Sequence, residues 1–341
     1  MKNKSDRLLE LDALRGLAAL GVVLFHYTFY NPNKIGYVVP FSFAYGAECV
    51  HLFFVISGFV IFMTLDKIAN AQSFIISRFS RLYPVYWISI LLNVILIPLI
   101  GNQFTGHELS IKRLLYNITM FQGHLNIPNI DGVYWTLTVE LSFYVFLLSI
   151  FLLKVTDHIV SIGIGYVLLQ ILYTKLKYFF HVFVLPDHVE TFTMIRYFHF
   201  FLAGMVFYKI WKGEKSFANH FVIVLCFLAE RIISGRWGPS FAITGLIFLM
   251  FYFLINHKLK FLNHPVLIFL GAISYSLYLI HANMGFLMID RLNKIPAINS
   301  WIIILVPIAV SVSLAFLIHK TIEVPAMKYI RGKKYRQSTA T

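Results

Sequence analysis

Long apolar runs alternate with short polar segments along the whole of this chain. A helix needs about 20 mostly apolar residues to cross the hydrocarbon core of a bilayer. Runs near this length occur at residues 13–30, 46–64, 84–101, 133–153, 158–174, 191–209, 218–234, 239–256, 266–288 and 299–319. The pattern predicts an all-α protein, a polytopic membrane helix bundle of about ten transmembrane helices that forms one domain over residues 1–341.

The composition agrees with a membrane as the main solvent. Hydrophobic residues make up 59% of the chain and charged residues only 13%, whereas about a quarter of the residues in a soluble domain are charged. The formal net charge is +14, but the basic residues are scattered at the ends of apolar runs and form no continuous basic face. We therefore expect no nucleic-acid partner.

The distribution of basic residues predicts the orientation, because Lys and Arg are concentrated in cytoplasmic loops. With a cytoplasmic amino terminus, the ten-helix arrangement places nineteen of them in inside segments and nine in outside segments. Both termini are therefore predicted to be cytoplasmic. The basic tail at residues 321–341 is expected to lie along anionic lipid headgroups. In this orientation the long polar stretch 101–132 lies on the outer side of the membrane. We expect it to form a lid or a rim that faces an acceptor substrate.

The first apolar run, LDALRGLAALGVVLFHY, carries Arg15 and His26. Eleven residues are close to three helical turns, so the two side chains share one face about 16 Å apart along the axis. His26 is a candidate general base, because imidazole titrates near neutral pH. A hydrogen bond to a neighbouring helix is the structural alternative. Arg15 lies near the cytoplasmic edge, where the alternative is that it extends to the headgroups.

The second run begins GAECVHLFFVISGFVIF and places Glu48, His51 and Ser57 at or within the membrane. Glu48 and His51 are three residues apart, so on a helix they face the same side and pair with each other or with a substrate hydroxyl. The alternative is that both lie at the outer interface. Cys49 and Cys226 lie far apart in or beside apolar runs, which indicates packing residues and predicts neither a disulfide nor a metal site.

Two arginines precede the third run in SRFSRLYPVYW. Pro84 suits the first turn of a helix, so Arg78 and Arg81 are predicted at a helix start, beside unsatisfied backbone donors. Guanidinium groups in that position favour a phosphate-binding site. The alternative is that the pair only sets the topology.

The fourth run, DGVYWTLTVELSFYVF, contains a carboxylate in an otherwise apolar helix. Glu140 there needs a proton or a cationic partner. We interpret it as orienting His26 or bonding the acceptor, and an ion pair with Arg15 or Arg196 is the alternative. Trp135 lies at the start of the same run. The candidate residues for contact with an acceptor substrate are Glu48, His51, Ser57 and Trp135.

Polar residues near the carboxyl end are interpreted as structural. GAISYSLYLIH contains Ser274, Tyr275 and His281, and HKTIEVPAMKY contains Glu323, which neutralises local basic charge. Pro325 is expected to end the last helix.

Taken together, these motifs resemble the membrane acyltransferase family 3, which includes bacterial acetylases of O-antigen, exopolysaccharide and related cell-surface sugars. The resemblance rests on LDALRGLAALGVVLFHY, LFFVISGFVIF, RFSRLYPVYW, WTLTVELSFYVF, SYSLYLIH and HKTIEVPAM, in this order over nearly the whole chain. The chain departs from the family pattern at His51, where members often carry an acidic or amide residue, and at Cys49, where they often carry glycine.

The resemblance implies an acyl-CoA donor, most simply acetyl-CoA, which is reached from the cytoplasm and has its phosphates near Arg15, Arg78 and Arg81. It implies a carbohydrate acceptor at the cell surface or on a lipid, with His26 as the catalytic residue. A multi-pass place in the bacterial inner membrane follows, with membrane lipid around the bundle. No metal is implied, and a homo-oligomer is left open.

Our hypothesis is that His26 removes the proton of a sugar hydroxyl, Glu140 orients or stabilises the imidazolium, and the hydroxyl attacks the thioester directly. In one alternative, His26 carries the acyl group as a nucleophile. In another, the chain is a transporter or flippase for a lipid-linked sugar, since buried Arg, His and Glu also describe such proteins. A third is a non-catalytic subunit of a polysaccharide assembly complex.

Overall fold

A computed structural model of the chain describes residues 8–100, 108–179, 184–235 and 238–338. Within these ranges the regular secondary structure is helical and no strand occurs. In chain order the α-helices of six or more residues are α1 Leu9–Phe25, α2 Cys49–Leu65, α3 Ala71–Ile100, α4 Ile111–Ile118, α5 Trp135–Leu152, α6 Ile159–Phe179, α7 Asp187–Phe192, α8 Phe198–Trp211, α9 Phe217–Ser234, α10 Pro239–Ile255, α11 Pro265–Asn293, α12 Ser300–Ile318 and α13 Val324–Ser338. Short 3-10 and π-helical turns join or extend several of them.

Seven helices in the described ranges are long and apolar enough to cross a membrane, namely α2, α3, α5, α6, α9, α11 and α12 with its continuation. The chain is therefore an all-α, multi-pass membrane protein, as the apolar pattern predicts. The three other predicted spans coincide with α1, α8 and α10, which have 17, 14 and 17 residues. The number of ten crossings and the cytoplasmic position of both termini stay predictions.

The third helix differs from its prediction at its amino end. It begins at Ala71, so Arg78, Arg81 and Pro84 all lie in its interior. The expectation that Pro84 occupies the first turn, with both arginines at a helix start, is wrong. Pro in a membrane helix is tolerated because neighbouring groups satisfy the backbone that it leaves unpaired. The two arginines therefore act through their side chains and not beside free backbone donors.

The last helix also continues past its predicted end. A π-helical turn, His319–Glu323, joins α12 directly to α13. Pro325 is the second residue of α13 and does not end the helix, because a missing N–H is tolerated in a first turn. Residues 339–341 of the basic tail lie outside the described residues.

Arg196 does not lie inside a helix, although the predicted span 191–209 includes it. α8 begins at Phe198, after a turn in which Met194 has a positive φ of 53°. Arg196 lies in this turn and pairs with Asp187 at 3.4 Å and with Glu190. The proposed alternative pairing of Arg196 with Glu140 is therefore wrong.

The polar stretch 101–132, of which residues 101–107 lie outside the described ranges, folds into a compact loop around α4. Arg113 is buried and donates to the backbone carbonyls of Glu108, Pro128 and Asn129. Asn117 donates to the carbonyl of Pro128 and accepts from the backbone N–H of Ile130. These bonds fold the segment on itself, and the hydroxyl of Tyr86 in α3, which donates to the carbonyl of Asn117 at 2.8 Å, ties it to the bundle.

Close backbone contacts fix two helix pairs of the bundle. A Cβ atom placed on Gly271 of α11 would overlap the carbonyl oxygen of Asp12 in α1, and one on Gly16 would lie 2.5 Å from the backbone nitrogen of Gly271. In the same way, a Cβ on Gly204 of α8 would overlap the carbonyl oxygen of Val55 in α2. Small residues allow membrane helices to approach in this way.

We expect Gly204→Ala to destabilise the protein by about 1–3 kcal/mol, because the added Cβ atom forces α8 away from α2. Gly165→Ala in α6 is the matched control, since a Cβ at Gly165 meets no atom within 4 Å. Thermal unfolding of the purified protein in detergent measures both changes. Equal melting temperatures for the two variants would contradict this packing.

Candidate active site

A cavity of about 250 Å³ lies between the amino-terminal half of α1 and helices α2, α3, α5, α11 and α13. Its polar lining includes most of the residues that the sequence singled out, although they are far apart in the chain. The polar lining residues are Arg15, Ser57, Arg78, Arg81, Thr136, Glu140, Tyr144, Ser274, Tyr275, Tyr278 and Arg331. The fold thus brings the three predicted phosphate-binding arginines into one cavity.

These three arginines reach the cavity from two helices, α1 and α3, and are held by different contacts. Arg15 lies 4.0 Å from the carboxylate of Asp12, one turn earlier in α1. Arg78 donates to the hydroxyl of Thr64 at 3.0 Å, and its guanidinium lies 5.8 Å from the ring centroid of Tyr144. The guanidinium of Arg81 lies 5.9 Å from the ring centroid of Tyr275.

Arg331 is a fourth arginine in the cavity wall, and the sequence pattern did not single it out. Its Nε donates to the hydroxyl of Ser80 at 2.9 Å and its Nη2 donates to the carbonyl of Ser77 at 3.1 Å. These bonds dock α13 on α3, so part of the basic tail lies against the bundle. The signal for this was weak in sequence, because Arg331 is one of several basic residues in a polar tail.

Glu140 is the one carboxylate among the described residues that line the cavity. It accepts hydrogen bonds from Ser57 at 3.2 Å and from Tyr144 at 2.7 Å. The cavity therefore combines four guanidinium groups with one carboxylate, and its walls favour an anion. Arg81 is partly neutralised, because Glu323 lies 3.6 Å away with a fully buried side chain.

Glu323 has a larger structural part than the sequence suggested. Besides Arg81, it contacts Ser276 at 2.9 Å and His319 at 3.0 Å. The π-helical turn His319–Glu323 brings this carboxylate to the inner side of α12. It links the end of α12 to α3 and α11 next to the cavity.

His26 lies away from the lining of this cavity, at the first position of a π-helical turn, His26–Tyr30. Its Nδ1 is 2.8 Å from Nε2 of His281 in α11. His26 is partly exposed, whereas His281 is completely buried. Isolated π-helical turns are rare and are often found at functional sites.

Tyr278 borders both the cavity and this imidazole pair. It is a lining residue of the cavity, its hydroxyl lies 2.8 Å from that of Thr136, and its ring centroid lies 5.9 Å from that of His281. One aromatic ring therefore connects the arginine-lined space with the histidines.

The structure separates His26 from Glu140, which the sequence hypothesis had joined. His281 occupies the position next to His26, and Glu140 bonds Ser57 and Tyr144 instead. The sequence pattern could not show this, because both residues are polar groups in apolar helices and the helix neighbours are not readable from it.

The other predicted acceptor contacts lie in two further places. Nδ1 of His51 lies 2.9 Å from the carboxylate of Glu48, so the two side chains are in contact as the spacing predicts, and His51 stacks on Phe200. His51 lines a second cavity of about 260 Å³ whose charged residues are Lys177, Glu190, Arg196 and Glu230. Trp135 packs against Phe54 and Tyr197 with ring centroids 6.2 and 5.3 Å away.

Comparison with known proteins identifies the class of enzyme. A family model described as an acyltransferase domain matches residues 8–320. The chain therefore belongs to acyltransferase family 3 and is an acyltransferase, which confirms the resemblance drawn from its motifs.

Relatives cover much of the chain at low identity. A protein of Acidianus two-tailed virus that carries the name acetyltransferase is 24% identical over 294 residues, which is 83% of this chain and 84% of the relative. Exopolysaccharide production protein ExoZ of Rhizobium meliloti is 28% identical over 271 residues, 74% of this chain and 80% of the relative. Acyltransferase MdmB of Streptomyces mycarofaciens is 27% identical over 146 residues, 40% of this chain and 38% of the relative. No solved structure matches the chain.

Because four guanidinium groups line the cavity, we predict that it binds polyvalent anions. We expect inorganic pyrophosphate to raise the melting temperature of the purified protein, and Arg78→Gln or Arg331→Gln to weaken its binding about tenfold or more, since a hydrogen bond to a charged group is worth about 1.5–3 kcal/mol. Lys328→Gln is the matched control, because it removes one charge from the exposed side of α13. Equal pyrophosphate affinity in all three variants would exclude this cavity as the anion site.

Proposed function

We propose that this acyltransferase is an integral membrane O-acyltransferase. It moves an acyl group, most simply acetyl, from cytoplasmic acyl-CoA to a hydroxyl of a cell-surface or lipid-linked carbohydrate. The observation that carries the proposal is the convergence of four arginines on one cavity that Tyr278 connects to the His26–His281 pair. The name of the exopolysaccharide production relative supports a carbohydrate acceptor.

The donor would bind with its phosphates on the arginines. Arg15, Arg78 and Arg331 supply guanidinium groups with the fork geometry that suits phosphate oxygens, and in the predicted orientation they lie on the cytoplasmic side of the bundle. Sites for drug-sized ligands have volumes of about 300–1,000 Å³, so a cavity of about 250 Å³ takes only part of the donor. In this arrangement the pantetheine arm and thioester enter it, and the nucleotide stays at the opening.

The acceptor would approach His26 from the opposite end of α1. His26 is partly exposed there and has Tyr30 and Phe286 as aromatic neighbours, with ring centroids 5.6 and 6.0 Å away. Aromatic rings at the outer end suit the apolar faces of a sugar as well as a lipid boundary. Glu140, Ser57 and Tyr144 then form the polar wall that faces the donor arm.

The chemistry is a direct acyl transfer. His26 takes the hydroxyl proton while the hydroxyl oxygen forms a bond to the thioester carbon. The carbon–sulfur bond breaks, and the thiolate leaving group receives the proton back from the His26 imidazolium. Because the enzyme holds both substrates in the orientation for reaction, the bimolecular step takes place within one complex. This accounts for much of the rate enhancement.

We expect His26→Ala to lower kcat by about 10²–10⁴, the usual contribution of a general base, with the KM for acetyl-CoA changed by less than about threefold. The assay follows radiolabelled acetyl transfer from acetyl-CoA to polysaccharide in membranes or nanodiscs, and mass spectrometry of the product identifies the acyl group. His158→Ala, at an exposed histidine, is the matched control. Full activity of His26→Ala would contradict the mechanism.

The same label separates direct transfer from a covalent intermediate. Direct transfer leaves no acetyl group on the protein when the acceptor is omitted. A stoichiometric acetyl label on the wild-type chain that is lost in His26→Ala would instead show His26 to be an acyl-carrying nucleophile.

A further inference from the structure

The His281 ring has a defined set of polar contacts. It is fully buried in α11, and its Nδ1 lies 2.8 Å from the carbonyl oxygen of Tyr278 and 3.2 Å from that of Leu277. Its Nε2 faces Nδ1 of His26 at 2.8 Å. Both ring nitrogens are therefore occupied, one by backbone and one by the proposed base.

These contacts fix where the protons are. A carbonyl oxygen only accepts hydrogen bonds, so Nδ1 of His281 must carry the hydrogen that the two carbonyls share. A second proton on this ring would place a charge in a fully buried site whose polar contacts are two carbonyls and another imidazole, which is costly. The Nε2 of His281 is therefore an acceptor.

The tautomer of His26 follows from that of its neighbour. An acceptor at Nε2 of His281 requires a donor at Nδ1 of His26, so the lone pair of His26 lies on Nε2. We propose that His281 is a positioning residue that fixes His26 in the tautomer whose Nε2 receives the proton of the acceptor hydroxyl. This deepens the proposed function and rests on it.

The backbone around the pair is held at several points. The hydroxyl of Tyr27 donates to the carbonyl oxygen of His281 at 2.7 Å and lies 3.1 Å from the hydroxyl of Ser311 in α12. The π-helical turn starts at His26 itself, so the imidazole leaves α1 in a register that an unbroken α-helix does not have. The pair is thus fixed by α1, α11 and α12 together.

His281 also stabilises the imidazolium form of His26 during the reaction. When Nε2 of His26 takes the hydroxyl proton, the ring becomes an imidazolium whose Nδ1–H still donates to Nε2 of His281. A charge-assisted hydrogen bond of this kind is stronger than a neutral one, so it stabilises the state in which the carbon–oxygen bond forms. His281 keeps its own Nδ1 proton throughout and gains none.

The test compares two substitutions at His281 in the full-length protein. His281→Phe keeps the ring shape but has no lone pair, whereas His281→Gln places an amide oxygen near the position of Nε2 and accepts from His26. We expect His281→Phe to lower kcat by about 10²–10⁴ with the KM for acetyl-CoA unchanged within about threefold, and His281→Gln to retain kcat within about tenfold of wild type. A merely structural role would not produce rescue by Gln.

Two outcomes overturn the inference. Wild-type kcat in His281→Phe would show that the contact is not needed, and equal loss in the Phe and Gln variants would show that His281 does more than accept a hydrogen bond. The His26→Ala variant in the same assay distinguishes this result from a failure of the proposed function. If His26→Ala is active, His26 is not the general base and the proposed function itself fails.

A measurement on the wild-type protein does not depend on variant folding. Imidazole ¹⁵N resonances distinguish a protonated from an unprotonated ring nitrogen, and comparison with His26→Gln assigns the signals of His26. We expect a protonated Nδ1 and an unprotonated Nε2 at His26. The opposite tautomer would overturn it.

Discussion

The backbone contact between α1 and α11 is the constraint on which the candidate site depends. Gly16 and Gly271 bring the two helices close enough for Asp12 of α1 to touch the backbone of α11, and these two helices share the most extensive packing of the bundle. Along this seam Arg15 faces the cavity near one end, and His26 meets His281 nearer the other. A wider separation would leave His26 without its partner and open the cavity wall.

Charge in a membrane interior imposes the second constraint. Unpaired ionised groups in a low-dielectric medium are costly, yet the cavity holds more guanidinium groups than carboxylates. Part of the cost is offset by Glu323 beside Arg81 and by Asp12 beside Arg15. An anionic donor would neutralise the remaining positive potential on binding. The cavity is therefore expected to be more stable when it is occupied than when it is empty. Arg331 ties this site to α13, which makes the carboxyl-terminal helix part of it.

Much of the architecture was predictable because apolar length is a local property. Each of the ten predicted segments overlaps a helix. The spacing of Arg15 and His26 predicted a shared face of α1, and in the structure Arg15 lines the cavity and His26 meets His281 of α11. The errors at Pro84 and Pro325 have different causes, since Pro84 is accommodated in the interior of a packed membrane helix and Pro325 lies in the first turn of α13, where its missing N–H is tolerated. The sequence therefore predicted where helices lie better than where they begin or end.

The pairing of polar residues was not predictable, because it depends on which helices are neighbours. His281 carried no local signal that set it apart from other buried histidines, and only the packing of α11 on α1 brings it to His26. Glu140 and Trp135 show the reverse case. Each has the residue type expected of an active site, but Glu140 lines the cavity while bonding Ser57 and Tyr144 instead of His26, and Trp135 packs with Phe54 and Tyr197.

The most direct test of the central claim is a cryo-EM structure of the protein with a thioether analogue of acetyl-CoA that does not transfer its acyl group. We expect the phosphates on Arg15, Arg78 and Arg331, and the acyl carbon beyond Tyr278 on the side of Nε2 of His26. Phosphates in the second cavity beside His51, or an acyl group directed away from His26, would contradict the account.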